Sequence, residues 1–173
     1  MSDPGLILLG GLPGTGKSTV AAPVARELRA AYLRIDRIEQ TLADSGELPE
    51  RPLAVGYLVG YALARDQLDL GVTVVAECVN PLKITRDAWK NVGDRHGGWT
   101  LEVELVCSLP AEHRARVENR TVDIPGLVLP TWQQVVDREY ETWDRDHLVI
   151  DTAVTSAAET VELVLRHARA LSG

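Results

Sequence analysis

Residues 6–19 read LILLGGLPGTGKST, and this stretch decides the fold. Leu6 to Leu9 is a short continuous apolar run, broken at once by Gly10 and Gly11, the pattern of a strand buried on both faces in a parallel sheet. The residues after it fit G-x-x-x-x-G-K-[ST] at Gly11, Gly16, Lys17 and Ser18. The glycines let the backbone curl until successive N–H groups point inward at an anion. The helix that opens at Lys17 adds the positive end of its dipole. The cradle of Gly11, Pro13, Gly14, Thr15 and Gly16 is therefore expected to hold the phosphates of ATP. Lys17 is placed to reach the β- and γ-phosphates, Ser18 to coordinate Mg²⁺, and Thr19 to meet the α-phosphate. A glycine turn carrying an exposed lysine is the alternative, and it accounts for neither the strand before nor the helix after.

Outward from this motif, strands and helices alternate. The first helix spans Lys17 to about Ala30, with Val20, Val24 and Leu28 on one stripe and Pro23 as a possible kink. Ala31–Ile35 is a second strand ending at Asp36, and Arg37–Ser45 a short helix. ELPERP at 47–52 is a loop. Leu53–Leu70 is a long apolar helix stopped by Gly71. Val72–Ala76 is a third strand ending at Glu77, and a helix opened by Asn80-Pro81 runs to about Arg95. Leu101–Cys107 is the fourth strand, followed by a charged helix from Pro110 to about Arg120. Thr131 with Gln134 and Ser156 with Glu159 are capping boxes that flank a fifth strand at His147–Asp151. The alternation predicts an α/β fold of three layers, a five-stranded parallel sheet with helices on both faces.

The length of 173 residues and 45% hydrophobic content fit one domain over the whole chain. With 18 basic and 25 acidic residues the formal charge is −7, which disfavours long nucleic acids as partners. The N-terminus lacks a basic leader, and no run approaches the roughly 18 apolar residues of a membrane span, so a cytoplasmic protein is expected. Cys78 and Cys107 lack metal spacing and read as buried free thiols. The histidines read as structural or solvated, and Trp89, Trp132 and Trp143 as core residues of amphipathic helices.

Ligands in open parallel sheets bind beyond the carboxyl ends of the strands, where Asp36 and Glu77 lie. Asp36 is a candidate to take the proton of an acceptor hydroxyl, or else a helix N-cap. Glu77 is a ligand of Mg²⁺ or its water, a substrate ligand, or a strand-end carboxylate paired with a cation. Asn80 is a substrate-side polar group or an N-cap before Pro81. Arg116 and Arg120 are four apart on one helix face and are candidates to stabilise charge at the γ-phosphate. Arg138 reads as an exposed partner of Glu141. Tyr57 and Tyr61, four apart on the apolar helix, are candidate walls for an uncharged ring-containing acceptor, or core residues.

GLPGTGKST, Asp36, VVAECVN, AEHRARVENR and DHLVIDT, in that order, resemble the nucleoside monophosphate kinase-like group of P-loop small-molecule kinases. The group includes shikimate and gluconate kinases, chloramphenicol phosphotransferase and the zeta toxins, and the resemblance spans the whole chain. It implies ATP-dependent transfer to a small acceptor, a second-strand carboxylate on the acceptor hydroxyl, and a mobile lid, here at about 110–145, that brings arginines to the phosphates. The DG-x-P-R segment of adenylate kinases is replaced here by ECVNPLKITR. Acceptor-side cations are few, with Arg34, Arg37, Arg51 and Arg86 the main candidates. An unphosphorylated acceptor (a nucleoside, a sugar derivative or an antibiotic) is expected. A nucleoside monophosphate kinase and a nucleotide-dependent switch are the competing readings, the latter weakened by the lack of N-K-x-D.

Overall fold

The computed structural model describes residues 3–47, 54–95 and 97–173. Arg51, most of the 47–52 loop, the expected helix start at Leu53, and His96 lie outside them. The apolar run is strand β1 (Gly5–Gly10), and Leu6, Ile7, Leu8 and Leu9 are all fully buried. Successive side chains of a strand point to opposite faces. Leu6 and Leu8 accordingly join one core with Ile35, Tyr61 and Trp89, while Ile7 and Leu9 join the other with Val20, Val24 and Val164. A run without polar alternation is what a two-faced core demands.

The remaining elements are, in chain order, α1 (Lys17–Leu28), β2 (Ala31–Arg34), α2 (Ile35–Asp44), α3 (Val55–Asp69), β3 (Val74–Glu77) and α4 (Lys83–Asp94). Next come β4 (Trp99–Val106), α5 (Pro110–Glu118), α6 (Trp132–Val136), β5 (Leu148–Asp151) and α7 (Ala157–Leu171). All strand pairs are parallel, in the order β2-β3-β1-β4-β5. Helices α1 and α7 cover one face, and α3 and α4 the other. This is the expected three-layer α/β arrangement. No described helix is long and apolar enough to cross a membrane.

Several local expectations need correction. Helix α1 runs through Pro23 unbroken. Both capping boxes form, but the helix behind Thr131 lasts only to Val136, so Trp143 lies in irregular chain. There Trp143 stacks on His147 with ring centroids 3.9 Å apart and receives the Arg86 guanidinium 4.4 Å from its own centroid. Arg86 is fully buried and donates to the carbonyls of Asn80 (3.0 Å), Pro81 (3.0 Å) and Glu141 (2.7 Å). It thereby ties the chain after α6 to the β3–α4 turn, which removes it from the supply of acceptor-side cations. Cys78 is buried and free, and the same burial raises its thiol pKa to about 12. Cys107 is free but partly exposed, contrary to expectation.

Candidate active site

The sheet's carboxyl edge places the motif residues together. The loop from Gly11 to Gly16 joins β1 to α1. At Gly11 φ is +136°, and a Cβ there would lie 2.3 Å from the Leu105 carbonyl oxygen, so only glycine fits. Gly16 is the N-cap of α1 at φ +92°. Buried Thr15 donates through Oγ1 to Leu12 O (2.9 Å) and is part of the loop's own scaffold. His113, also buried, donates from Nε2 to the Pro13 carbonyl (2.8 Å) and packs edge-on against Trp132. This brace between α5 and the phosphate loop is invisible in the local sequence pattern.

Lys17 bends back over the loop and donates to Gly11 O (2.7 Å) and Leu12 O (3.0 Å). Its burial lowers its pKa, while Asp36 and Glu77 pull in the opposite direction. Ser18 Oγ donates to Glu77 Oε1 over 2.8 Å. Arg34, which faces Glu77 in the β2–β3 register, brings Nε to 2.8 Å from the same oxygen. Burial pushes the Glu77 carboxyl up, opposed by Ser18, Lys17, Tyr32 and Arg34. Its other oxygen, Oε2, is buried without a hydrogen-bond partner among the described residues. A hydroxyl beside a carboxylate with an uncommitted oxygen suits a hard, water-retaining cation such as Mg²⁺. No cluster of three or more His, Cys, Asp and Glu side chains able to hold a metal occurs among the described residues. An ion here would therefore share its coordination with phosphate oxygens.

Asp36 sits in the first turn of α2, whose N-cap is Arg34 and which has no side-chain cap. The capping reading of Asp36 is thus corrected. Its half-buried carboxylate makes no hydrogen bond among the described residues and faces the cleft close enough to Lys17 to act on its charge. Asn80 is not a cap either, because α4 begins at Lys83 behind Leu82. Asn80 is fully buried at φ +52° and lies off the cleft wall, so the structure does not place it on a substrate. Tyr61 is core, in edge contact with Trp89 (4.7 Å), while Tyr57 is on the rim; both reach the cleft.

The two arginines expected on one exposed helix face separate. Arg116 is half-buried, held by Glu112 and by Thr152 through Nη1 to Oγ1 (2.9 Å) and Nη2 to the carbonyl (2.8 Å). Arg120 lies beyond the end of α5, lines the cleft and bears on the Lys17 charge. Thr152, directly after β5, also donates to the carbonyls of Thr15 (3.2 Å) and Val106 (3.0 Å), so it connects Arg116 to the phosphate loop. The stretch DHLVIDT contains this residue, but a lone threonine carries no signal of its own. Arg138 makes no ion pair with Glu141, whose carboxylate accepts from Lys83 N; Arg138 lies exposed on the cleft. We expect Arg120→Ala to lower turnover with an unchanged melting temperature. Arg116→Ala is expected to weaken nucleotide binding and to cost about 1 kcal/mol of stability, because its contacts are half-screened by solvent. Titration of nucleotide binding alongside thermal melts checks both, and a reversed pattern contradicts the assignment.

One cleft of about 1340 Å³ is lined by Lys17, Ser18, Asp36, Glu77, Arg116 and Arg120 together with Tyr57 and Tyr61, while Gly11, Thr15 and Asn80 lie off it. That exceeds the roughly 300–1,000 Å³ of a typical single-ligand pocket, as two substrates side by side require.

The model of the ATPase family associated with various cellular activities (AAA) matches residues 7–54, the phosphate loop and its flanks. No curated protein matches the sequence significantly. Among solved structures, a protein of Chloroflexus aurantiacus j-10-fl with a provisional kinase assignment is similar (20% identity, TM-score 0.72, 99% of each chain covered). A gluconokinase from Sinorhizobium meliloti 1021 is similar at 19% identity and TM-score 0.66, over 99% of this chain and 95% of that one. The Mycobacterium tuberculosis APS kinase CysC, in complex with AMPPNP and APS, matches at 20% identity and TM-score 0.66 with both chains fully covered. The chain has the three-layer P-loop fold that these structures share.

Proposed function

We propose that this protein is an ATP-dependent kinase that moves the γ-phosphate of ATP to a hydroxyl of a small acceptor lacking phosphate. One observation carries the reading: a single cleft joins the phosphate loop to Asp36, a carboxylate just beyond β2 with no hydrogen-bond partner among the described residues. A nucleotide switch uses a carboxylate to hold Mg²⁺, a place Glu77 beside Ser18 already fills, and needs no second one. A transferase needs one to orient the attacking hydroxyl.

In this mechanism the loop N–H groups and Lys17 hold the phosphates. Ser18 and Glu77 would hold Mg²⁺, whose charge would offset that of the phosphates. Asp36 takes the hydroxyl proton, and Arg120 approaches the γ-phosphate as segment 110–145 closes as a lid. The relatives described as gluconokinase and APS kinase make a small-molecule acceptor the natural reading.

Among the described residues, the expected acceptor-side cations Arg34, Arg37 and Arg86 offer no free charge to an acceptor phosphate, which supports an acceptor without one. Arg34 forks onto Asp123 and pairs with Glu77, so its charge is already met. Arg86 is buried, and Arg37 lies off the cleft. The test measures ADP release across nucleosides, sugars and antibiotics, each with and without a phosphate group. Preference for phosphorylated members would make the chain a nucleotide kinase instead. ADP release independent of every acceptor would favour the switch.

A further inference from the structure

We infer that the acceptor is an alcohol on an apolar, ring-containing skeleton rather than a polyol. This rests on the kinase reading above and narrows its substrate class. Three large aliphatic side chains from three separate segments line the cleft and stand exposed. Leu58 of α3 is 60% exposed, Ile84 of α4 is 73% exposed, and Val128 of the segment after α5 is 76% exposed. Scattered surface aliphatics are ordinary. These three converge on one concave site that is continuous with the phosphate loop and Asp36, so the molecule that covers them is the one that delivers its hydroxyl to Asp36.

The tyrosine and threonine hydroxyls of the same wall are already engaged within the protein. The Tyr57 hydroxyl accepts from Asn80 N (3.1 Å) and faces the Cys78 thiol. The Tyr61 hydroxyl donates to Thr85 O (3.3 Å), and Thr85 Oγ1 donates to Leu82 O (2.8 Å). A polyol pressed against this wall would leave its hydroxyls without partners, and each such group weakens binding. A hydrophobic ring loses nothing there, and Tyr57, on the rim and packed edge-on against Tyr61 (6.2 Å), offers it an aromatic surface. The transfer itself is balanced by groups already named. The bond from the γ-phosphorus to the ADP oxygen breaks, and ADP leaves with the electron pair. The acceptor oxygen forms the new phosphorus–oxygen bond, and its proton passes to Asp36.

The experiment uses the full chain with ATP and Mg²⁺ and compares phenylethanol and naphthylethanol with ribose, glucose and gluconate, detecting the phosphate ester formed. The aryl alcohols are expected to have the higher kcat/KM, with naphthylethanol above phenylethanol. Leu58→Asn and Ile84→Asn, both at exposed positions, are expected to keep the wild-type melting temperature and the KM for ATP. Each is expected to raise the KM for naphthylethanol roughly 10-fold, the scale of a lost apolar contact in a pocket. Preference for the polyols, or an unchanged KM in both variants, overturns this inference and leaves the kinase reading intact. No ester from any alcohol in either set overturns the kinase reading and this inference with it.

Discussion

Replacing Lys17 with alanine is expected to cut phosphoryl transfer by roughly 10²–10³-fold while the protein stays folded. Lys17 is the ammonium that the loop carbonyls hold in place at the cleft, where partial burial weakens its screening by water. Charge that develops on the γ-phosphate oxygens during transfer meets this group without reorganisation. Its two hydrogen bonds in the structure go to the Gly11 and Leu12 carbonyls of a loop that Thr15, His113 and Thr152 also hold. Stability should therefore fall by no more than about 1 kcal/mol. Single-turnover kinetics beside a thermal melt provide the check. Wild-type turnover would remove Lys17 from the mechanism, and a collapsed melt would show that the lysine mainly holds the loop.

Asp36→Asn is expected to reduce transfer by roughly the 10²–10⁴-fold of a lost general base. The lower end is favoured because phosphoryl transfer has a loose transition state and the base acts largely by positioning. The swap is nearly isosteric, and Asp36 makes no cap bond that the amide could break. Melting temperature and ATP affinity should stay at wild-type values. Any slow hydrolysis of ATP by water should also persist, since it does not require the acceptor hydroxyl. Transfer at the wild-type rate would remove the catalytic role. A large rise in acceptor KM with unchanged transfer at saturation would make Asp36 a binding group instead.

The sheet and the phosphate loop were legible because each rests on short-range constraints. An uninterrupted apolar run, glycines where φ turns positive, and serine or threonine three residues ahead of Glu or Gln are all local statements. Elements were placed to within a few residues by the same signals. The pairing of Ser18 with Glu77 was foreseen only as two candidates for one ion. Their hydrogen bond depends on β3 lying beside β1, which the sequence order does not state. The failures share a cause in long-range geometry. Arg86 looked like a free cation, but aromatic rings and carbonyls from distant segments enclose it. Arg116 and Arg120 were put on one helix face, yet the helix stops at Glu118 between them. Asp36 and Asn80 carry the side chains of helix caps, but the helix starts fall elsewhere. The brace from His113 to the phosphate loop crosses 100 residues of sequence and leaves no periodic trace.

The proposed kinase reading stands or falls on transfer of phosphate to an alcohol rather than to water. Phosphorus NMR of a reaction containing the protein, ATP, Mg²⁺ and a phosphate-free alcohol follows the fate of the γ-phosphate directly. The expected result is an organic phosphate ester that grows in step with ADP, with inorganic phosphate a minor product, and loss of the ester signal in Asp36→Asn. Inorganic phosphate as the sole product, at a rate indifferent to every alcohol offered, would contradict it.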